Sequence, residues 1–324
     1  MTSTEAGDRA DIFVPHAYPE RIVDLGEIRM NYATAGASDL PALLLIPAQA
    51  DSWWSYEDAV RLLSDHFQVY AVDLRGQGRS MWTPGRYTLD IMGNDLVRFI
   101  DRVIGRPTVV SGNSSGGVLA AWLAAYAAPG QVRGAILEDA PLFSSEANPS
   151  YGPSIRQGLG PLFAVWNKWL GDQWTIGDWE GMQAALPKET PSWMMAALEG
   201  MSLKPPGAAS PRGDEPPQNM KEYDPEWARA FSTGSAPTSR DHARMLAGLK
   251  VPALFTHHFR AVDDETGIVM GAISDYQVQQ ARRLVTGAGQ RFDYVSFPDM
   301  AHFMHSQDPQ LFTTTVVDWS LTLP

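Results

Sequence analysis

The sequence predicts an α/β fold in which a mostly parallel sheet is interrupted by a helical insertion. Short apolar runs typical of buried strands alternate with helical patterns up to residue 141, no strand pattern occurs in residues 142–248, and the alternation then resumes. Strands separated by helices imply right-handed crossovers, which place helices on both faces of the sheet. Eight segments have strand patterns: residues 21–23, 28–34, 42–46, 68–72, 108–111, 134–137, 253–256 and 291–296.

Each element has its own signal in the sequence. The first two strands form a starting hairpin, the third is a solid apolar run, and the fifth is rich in β-branched residues. The helix at residues 89–103 places six large apolar side chains on one face. Further helices are predicted at residues 56–63, 118–128, 274–284 and 309–321.

The change of pattern divides the chain into two domains. Residues 1–141 and 249–324 are assigned to a core domain, and residues 142–248 to a helical cap or lid. Within the lid, residues 204–218 are dense in Pro and Gly and are interpreted as a loop. Six of the eleven tryptophans fall in the lid: Trp166, Trp169, Trp174, Trp179, Trp193 and Trp227.

The composition excludes several classes of function. The 324 residues include 25 Lys and Arg and 37 Asp and Glu, so the net charge is −12, which argues against binding nucleic acid or anionic lipid. Because there is no cysteine, a disulfide scaffold, a Cys nucleophile and a thiolate metal site are excluded. The first residues lack the pattern of a signal peptide, and no apolar run reaches the ~20 residues of a membrane-spanning helix. We therefore expect a cytoplasmic protein without nucleic-acid or membrane partners.

The motif that carries chemistry follows the fifth predicted strand. Gly112-Asn113-Ser114-Ser115-Gly116-Gly117 is a G-x-S-x-G pattern between a strand and a helix, which is the context of a nucleophile elbow. Small residues at its two ends let strand and helix approach, and the free N–H groups of the helix start favour developing negative charge. The pattern predicts Ser114 as a nucleophile. The alternative is a glycine-rich helix start without chemistry.

A serine hydroxyl needs a base that takes its proton. Of the seven histidines, His302 lies in the loop between the last predicted strand and the last predicted helix, where this architecture places its base. His305 is interpreted as a pocket-wall or capping residue. His257 and His258 also follow a strand, but they lack the i, i+4 spacing of a helical metal site, so no metal is expected.

The acid that orients the base has two candidate locations. Glu138-Asp139 end the sixth predicted strand, and Asp263-Asp264 follow the seventh at a greater distance. Strand alternation directs Glu138 and Asp139 to opposite sides, so only one of them can reach the imidazole. Glu138 has the longer side chain, but the pattern alone does not decide between the two.

Stabilising an oxyanion requires backbone N–H donors. One is expected from Ser115, directly after the nucleophile, and the other from the turn after the third strand. Pro47 has no N–H, which leaves Ala48 or Gln49. We choose Gln49, because its side chain could add a second contact.

Taken together, these residues resemble the α/β-hydrolase family over about two thirds of the chain. The stretch Asp73-Leu74-Arg75-Gly76-Gln77-Gly78-Arg79-Ser80 is similar to the family's D-x-R-G-x-G-x-S turn, and the elbow and the Ala301-His302 pair also fit. Two departures are Pro47-Ala48, where the family has His-Gly, and Ala301, where it has Gly. The resemblance implies the α/β-hydrolase fold, with a mostly parallel eight-stranded sheet, and no cofactor.

A closer resemblance is to the bacterial zearalenone hydrolases, also called zearalenone lactonases. It includes residues 41–45, the turn Asp51-Ser52-Trp53-Trp54-Ser55-Tyr56, the elbow with Val118 and, in the lid, residues 171–179. In hydrolases of this substrate class the acid is a Glu just after the strand that follows the elbow helix, which corresponds to Glu138. The resemblance therefore implies a triad of Ser114, His302 and Glu138, with Asp139 ranked second and Asp264 third. It also implies the macrocyclic lactone zearalenone as substrate.

Trp53 and Trp54, beside the oxyanion turn, and the lid at residues 142–248 are the candidate walls of the substrate site. One or two of the lid tryptophans are expected to face the substrate, and the others to pack the lid's own small core. Other functions remain open: another ester, lactone or carbon–carbon bond hydrolase of the same fold, a lyase or perhydrolase with the same triad, and a non-catalytic small-molecule receptor. Dehalogenases and epoxide hydrolases are disfavoured, because they use an Asp nucleophile where this chain has Ser114. A homodimer is compatible with the sequence.

Overall fold

A computed structural model of the chain describes residues 12–152, 156–170, 178–190, 216–236, 240–262, 264, 267 and 269–324. Some sequence predictions lie outside these residues. They are those for Trp174, Trp193 and Asp263, those for residues 171–177 of the resemblance, and most of the loop at residues 204–218.

Ten strands are found in the described residues. They are β1 (Glu20–Asp24), β2 (Arg29–Ala35), β3 (Ala42–Ile46), β4 (Gln68–Val72), β5 (Thr108–Asn113), β6 (Val132–Glu138), β7 (Ala253–His257), β8 (Arg260–Val262), β9 (Val269–Gly271) and β10 (Phe292–Ser296). Eight of them form one sheet in the order β1-β2-β4-β3-β5-β6-β7-β10. The pairs β1–β2 and β2–β4 are antiparallel and the other neighbours are parallel, which confirms the predicted mostly parallel sheet. The ribbon of β8 and β9 was not predicted, because its strands have only three residues each.

Along the chain, the helices lie between the strands or after the last strand. In the described residues they are α1 (Glu57–Leu63), α2 (Leu89–Phe99), α3 (Ser115–Tyr126), α4 (Arg156–Leu170), α5 (Trp179–Glu189), α6 (Gln218–Lys221), α7 (Pro225–Ser232), α8 (His242–Leu246), α9 (Asp275–Gly287), α10 (Met304–Gln307) and α11 (Pro309–Ser320). Helices α4 to α8 lie between β6 and β7, where the sequence predicts helices and no strands. The short α10, which holds His305, was not predicted. None of the helices in the described ranges has both the length and the apolar character needed to cross a membrane.

The central strands are buried on both faces, which explains their continuous apolar sequences. All five residues of β3 are buried, and its side chains alternate between two hydrophobic cores. Leu43 and Leu45 belong to the core that α1 and α11 cover, and Leu44 and Ile46 belong to the core that α2 and α3 cover. Helices α4, α5 and α7 extend this second core.

The carboxyl ends of the parallel strands meet at one edge of the sheet, where α/β folds of this kind place their ligand sites. The loops that follow β3, β5, β6 and β10 therefore converge there. They carry Gln49, Ser114, Asp139 and His302, respectively.

His242, at the start of α8, makes stability depend on pH. Its buried Nδ1 accepts the N–H of Phe143 at 2.9 Å, so this nitrogen carries no proton. Burial lowers the pKa of His242 from 6.5 to about 4. Since the unfolded chain takes up this proton at a higher pH than the folded chain, His242 lowers the free energy of unfolding as the pH falls from 6.5 towards 4.

We expect His242→Asn to remove this contribution, because the amide oxygen can accept the same N–H without titrating. Between neutral pH and mildly acidic pH, the free energy of unfolding should fall by about 2 kcal/mol less in the variant than in the wild type. Denaturant titrations of both proteins at the two pH values measure the difference. An identical fall in both proteins would contradict the expectation.

Candidate active site

Ser114 lies at the sharp turn between β5 and α3. Its φ of 54° and ψ of −120° form a conformation that a non-glycine residue adopts only under strain. Its N–H donates to the carbonyl of Glu138 at 2.9 Å, which fixes the turn against the end of β6. Ser114 lines a cavity at the carboxyl edge of the sheet. This is the local geometry of a nucleophile elbow.

Gly112 and Gly116 allow β3, β5 and α3 to approach each other closely. A Cβ atom on Gly112 would lie 2.1 Å from the carbonyl oxygen of Gly116. A Cβ atom on Gly116 would lie 2.3 Å from the carbonyl oxygen of Ile46, at the end of β3. Any side chain at either position would therefore separate α3 from the sheet.

We expect Gly116→Ala to destabilise the fold by about 1–3 kcal/mol, because the added methyl group meets rigid backbone. Activity should fall with it, since the displaced backbone carries Ser114. Gly160→Ala is the matched control: Gly160 lies in α4, and no atom lies near the position that an added methyl group would take, so that substitution should be neutral or slightly stabilising. Thermal denaturation of both variants tests the contrast, and equal midpoints would contradict it.

His302 is oriented by Asp139. Its Nδ1 lies 2.6 Å from Oδ2 of Asp139, and both side chains are buried. Burial on its own raises the pKa of Asp139, but the hydrogen bond from His302 and the nearby histidines outweigh it and lower the pKa below its ordinary value. Because the resulting carboxylate only accepts hydrogen bonds, Nδ1 of His302 is the donor in this contact. His302 lines the same cavity as Ser114.

The structure corrects the prediction that Glu138 orients His302. Glu138 contacts His305 instead, with its two carboxylate oxygens 2.9 and 3.0 Å from Nδ1 of that ring and one of them accepting the backbone N–H at 3.1 Å. Both side chains are fully buried, and the ring of Tyr56 stacks on His305 with centroids 3.9 Å apart. The pair therefore anchors α10 to the sheet. His305 was expected to be a pocket wall or a cap, but it is not among the residues that line the cavity.

Glu138 and Asp139 contact different histidines because side chains alternate along a strand. Glu138 is the last residue of β6 and points towards the core that α1 and α11 cover, as its contact with His305 shows. Asp139 follows it with a φ of 44° and points to the opposite side. Its N–H donates to the carbonyl of Thr256, and its Oδ1 accepts the N–H of His258, both on the neighbouring chain segment. These bonds hold Asp139 under His302.

The other acid and histidine candidates lie elsewhere. Asp264 is exposed, in the turn beside the ribbon of β8 and β9. His257 places Nε2 2.9 Å from the carbonyl of Ile273 and supports the sheet edge. His258 lies next to Asp139 and contacts Thr256 through its ring. Within the described ranges, no group of three or more His, Asp or Glu side chains is arranged to hold a metal ion.

The sequence predicts oxyanion donors at Gln49 and Ser115. Gln49 and Ser115 both line the cavity, and no hydrogen bond within the described residues uses either N–H. The side chain of Gln49, which was expected to be free for a second contact, instead donates from Nε2 to the hydroxyl of Tyr223 at 2.6 Å.

The cavity has a volume of about 300 Å³ and a mainly apolar wall. None of its lining residues in the described part of the chain is Asp, Glu, Lys or Arg. Helices α4, α5 and α7 supply much of the wall, including three of the tryptophans that the sequence analysis singled out. The large apolar lining residues are Leu89, Met92, Val118, Leu119, Leu159, Leu162, Phe163, Trp166, Trp179, Met182, Leu186, Met220, Trp227, Phe231 and Phe303.

Trp53 and Trp54, which were expected to be walls, are not among the lining residues. Their indole N–H groups donate to Glu20 and Glu222, respectively, so both rings hold chain segments together beside the site. Sequence reasoning also missed Asn219, which lines the cavity from α6. No local signal identifies it, since a single Asn in a Pro-rich stretch is an ordinary loop residue.

The chain is similar to a known protein family. The model of the alpha/beta hydrolase family matches residues 43–314. The 3-oxoadipate enol-lactonase 2 of Acinetobacter baylyi is 29% identical over 100 residues, which are 31% of this chain and 38% of that protein. Human epoxide hydrolase 4 is 33% identical over 119 residues, which are 36% of this chain and 32% of that protein. The chain thus spans only about a third of the length of these curated relatives.

Solved structures extend the likeness to the whole fold. The enol-lactonase from Burkholderia xenovorans superposes with a TM-score of 0.60 and covers 93% of this chain and 100% of its own, at 20% identity. A thermophilic esterase from Thermogutta terrifontis has a TM-score of 0.62 and 21% identity, and it covers 91% of this chain and 93% of its own. At such identities the likeness shows the fold alone.

Proposed function

Because the chain belongs to the alpha/beta hydrolase family, we propose that it is a serine hydrolase with a triad of Ser114, His302 and Asp139. The observation that carries the proposal is a strained serine in the same cavity as a buried histidine–carboxylate pair. Position 114 is a serine, which separates this chain from hydrolases with an Asp nucleophile. The epoxide hydrolase relative therefore shares the family with this chain but not the proposed chemistry.

The reaction begins when Nε2 of His302 takes the proton of Ser114 and Oγ attacks the carbonyl carbon of an ester. The N–H groups of Gln49 and Ser115 stabilise the oxyanion, and loss of one such donor typically costs ~10²–10³ in rate. The carbon–oxygen bond then breaks, and His302 returns the proton to the leaving alkoxide. Water, activated by His302, attacks the acyl-enzyme, frees the acid and restores Ser114.

The wall of the cavity favours a neutral, apolar substrate. A substrate with a free carboxylate would find no Lys or Arg among the described lining residues, so its desolvation would be uncompensated. This argues against an acid such as the oxoadipate derivative named for the Acinetobacter relative. Aromatic side chains from α4, α5 and α7 favour a bulky ring system. We propose that residues 142–248 act as a lid over Ser114.

Within this class we propose a lactone, and zearalenone in particular. The resemblance in the elbow and in the turn after β3 supports the choice, and the aromatic wall is compatible with a resorcylic ring. In a lactone the alkoxide remains attached to the acyl group, so the ring opens while the product is still bound to Ser114. The released hydroxy acid would then lose carbon dioxide.

Chromatography of zearalenone and of a chromogenic aryl ester, each incubated with the protein, tests both levels of the proposal. Ring-opened or decarboxylated product supports the lactonase. If the aryl ester is cleaved and zearalenone stays intact, the hydrolase function is supported and zearalenone is contradicted as the substrate. If neither compound reacts, the hydrolase itself is contradicted, and a receptor or lyase function gains weight.

A further inference from the structure

The loop after β3 is held by side chains from a distant part of the chain. Asn219 donates from Nδ2 to the carbonyl of Ala50 at 2.7 Å, and the hydroxyl of Tyr223 accepts from the side chain of Gln49 at 2.6 Å. One oxygen of Glu222 accepts from Ser52 and from the Trp54 indole, both at 3.0 Å. All three partners come from residues 216–224, which we call the 216–224 segment. This segment is separated from the loop by about 170 residues.

The first link in the argument is the orientation of one peptide group. The side chain of Gln77 donates to the carbonyl of Ala48 at 2.7 Å, and both residues are buried. In a trans peptide the C=O and the following N–H point in opposite directions. The bond to Gln77 therefore turns the N–H of Gln49 away from Gln77. The backbone of Tyr223 pairs with that of Gln77, and its hydroxyl accepts from the Gln49 side chain, so Tyr223 contacts both Gln77 and Gln49.

The second link is backbone strain at Ala50. Its φ of 60° lies in the left-handed region, which costs free energy for any residue with a Cβ atom. Such a conformation persists only when surrounding bonds impose it. The bond from Asn219 to the Ala50 carbonyl is buried and is a direct restraint on this residue. Without it, we expect the loop to relax.

The third link is that the 216–224 segment has its own anchor. The N–H of Asp224 donates to the carbonyl of Gly76 at 2.8 Å, and the hydroxyl of Tyr87 bonds to the Asp224 carboxylate. Asp224 also caps the start of α7 by accepting the N–H of Glu226. The segment is thus fixed to the core independently of the loop, so it can act as the support.

We propose that Asn219 and Tyr223 are positioning residues, which hold the loop after β3 so that the N–H of Gln49 faces the oxyanion. This proposal rests on the proposed serine hydrolase function. Neither side chain contacts the reacting atoms: they act through Ala50, Gln49 and Gln77.

The test compares the variants Asn219→Leu and Tyr223→Phe with the wild type. Steady-state hydrolysis of a chromogenic aryl ester gives kcat and KM, and an aryl boronic acid, which binds serine as a tetrahedral anion, gives an inhibition constant. We expect kcat to fall roughly 10-fold or more, and the inhibition constant to rise by a similar factor, with KM changed less than about twofold. A distorted oxyanion hole weakens the anionic adduct and the transition state, but not the neutral ground state.

Asn167→Leu is the matched control. Asn167 also donates from Nδ2 to a backbone carbonyl, that of Pro225, but it is not among the residues that line the cavity. Its loss should lower thermal stability and leave kcat and the boronate inhibition constant at wild-type values. The control separates a local effect on the loop from a general loosening of the helices.

The proposal is overturned if Asn219→Leu and Tyr223→Phe match Asn167→Leu in all three constants, or if only KM changes. If Asn219→Leu does not fold, Tyr223→Phe decides, because it removes one oxygen atom and no carbon. Failure of the wild type to hydrolyse the ester or to bind the boronate would instead contradict the hydrolase function, and this inference would fall with it.

Discussion

Replacing Ser114 by Ala is expected to lower kcat for ester hydrolysis on the order of 10⁴–10⁶-fold, which is the usual cost of removing a triad nucleophile. The variant should still fold, because Ala removes one oxygen atom and keeps the backbone bond to Glu138. Alanine must then occupy the same strained φ of 54° as the serine. Binding of an apolar, uncleaved ligand should remain near the wild-type level.

Ser111→Ala provides the control for this substitution. Ser111 lies in β5, three residues before Ser114, and its buried hydroxyl has no hydrogen-bond partner in the described structure. Its replacement should leave kcat within about twofold, because a hydroxyl without a hydrogen bond contributes little. When wild-type protein is quenched during turnover, mass spectrometry should detect one acyl group on the peptide that contains Ser114. An active Ser114→Ala variant would rule out the proposed nucleophile.

Asp139→Asn is expected to have the second largest effect, about 10⁴-fold in kcat, because an amide cannot stabilise the imidazolium that forms during the reaction. An Asn at this position can also donate to Nδ1 of His302 and so favour the wrong tautomer. The distance of 2.6 Å between Asp139 and His302 makes this contact direct. The measurement is kcat for the aryl ester, with circular dichroism as a check of folding.

Glu138→Gln is the matched variant, since it changes the neighbouring carboxylate to its amide in the same way. Glu138 contacts His305 and not His302, and an amide oxygen can still accept from the backbone N–H of His305. We expect a loss in kcat of less than about 10-fold, together with lower thermal stability, because a buried, hydrogen-bonded group has been altered. A large loss in Glu138→Gln with an active Asp139→Asn would restore Glu138 as the acid.

Most of the sheet could be predicted because its strands have strong local signals. The run at β3 is apolar throughout because both of its faces are buried, and the β-branched run at β5 ends directly in the elbow. The ribbon of β8 and β9 and the four-residue α10 could not be predicted. Elements of three or four residues have too few side chains to show a period, and their pairing partners decide whether they form.

For the candidate site, the places of Ser114 and His302 between elements predict a nucleophile and a base, and both residues line one cavity. For the acid, a resemblance and a longer side chain favour Glu138. The bonds of Asp139 to Thr256 and His258 overrule that choice, and they depend on how β7 lies beside β6. The prediction that Trp53 and Trp54 form walls is wrong for a similar reason. Their indole N–H groups donate to Glu20 and Glu222, which lie elsewhere in the sequence.

The sequence by itself therefore determined the α/β class, the order of the main elements and the nucleophile motif, because these depend on residues within a few positions of each other. Only the tertiary structure decided which of two adjacent carboxylates reaches His302, which aromatic side chains face the cavity, and what holds the loop after β3. The contact of the carboxylate with His302 and the support of the loop depend on residues separated by about 120–170 positions. Such contacts are set by how strands and helices pack, and no local pattern records them.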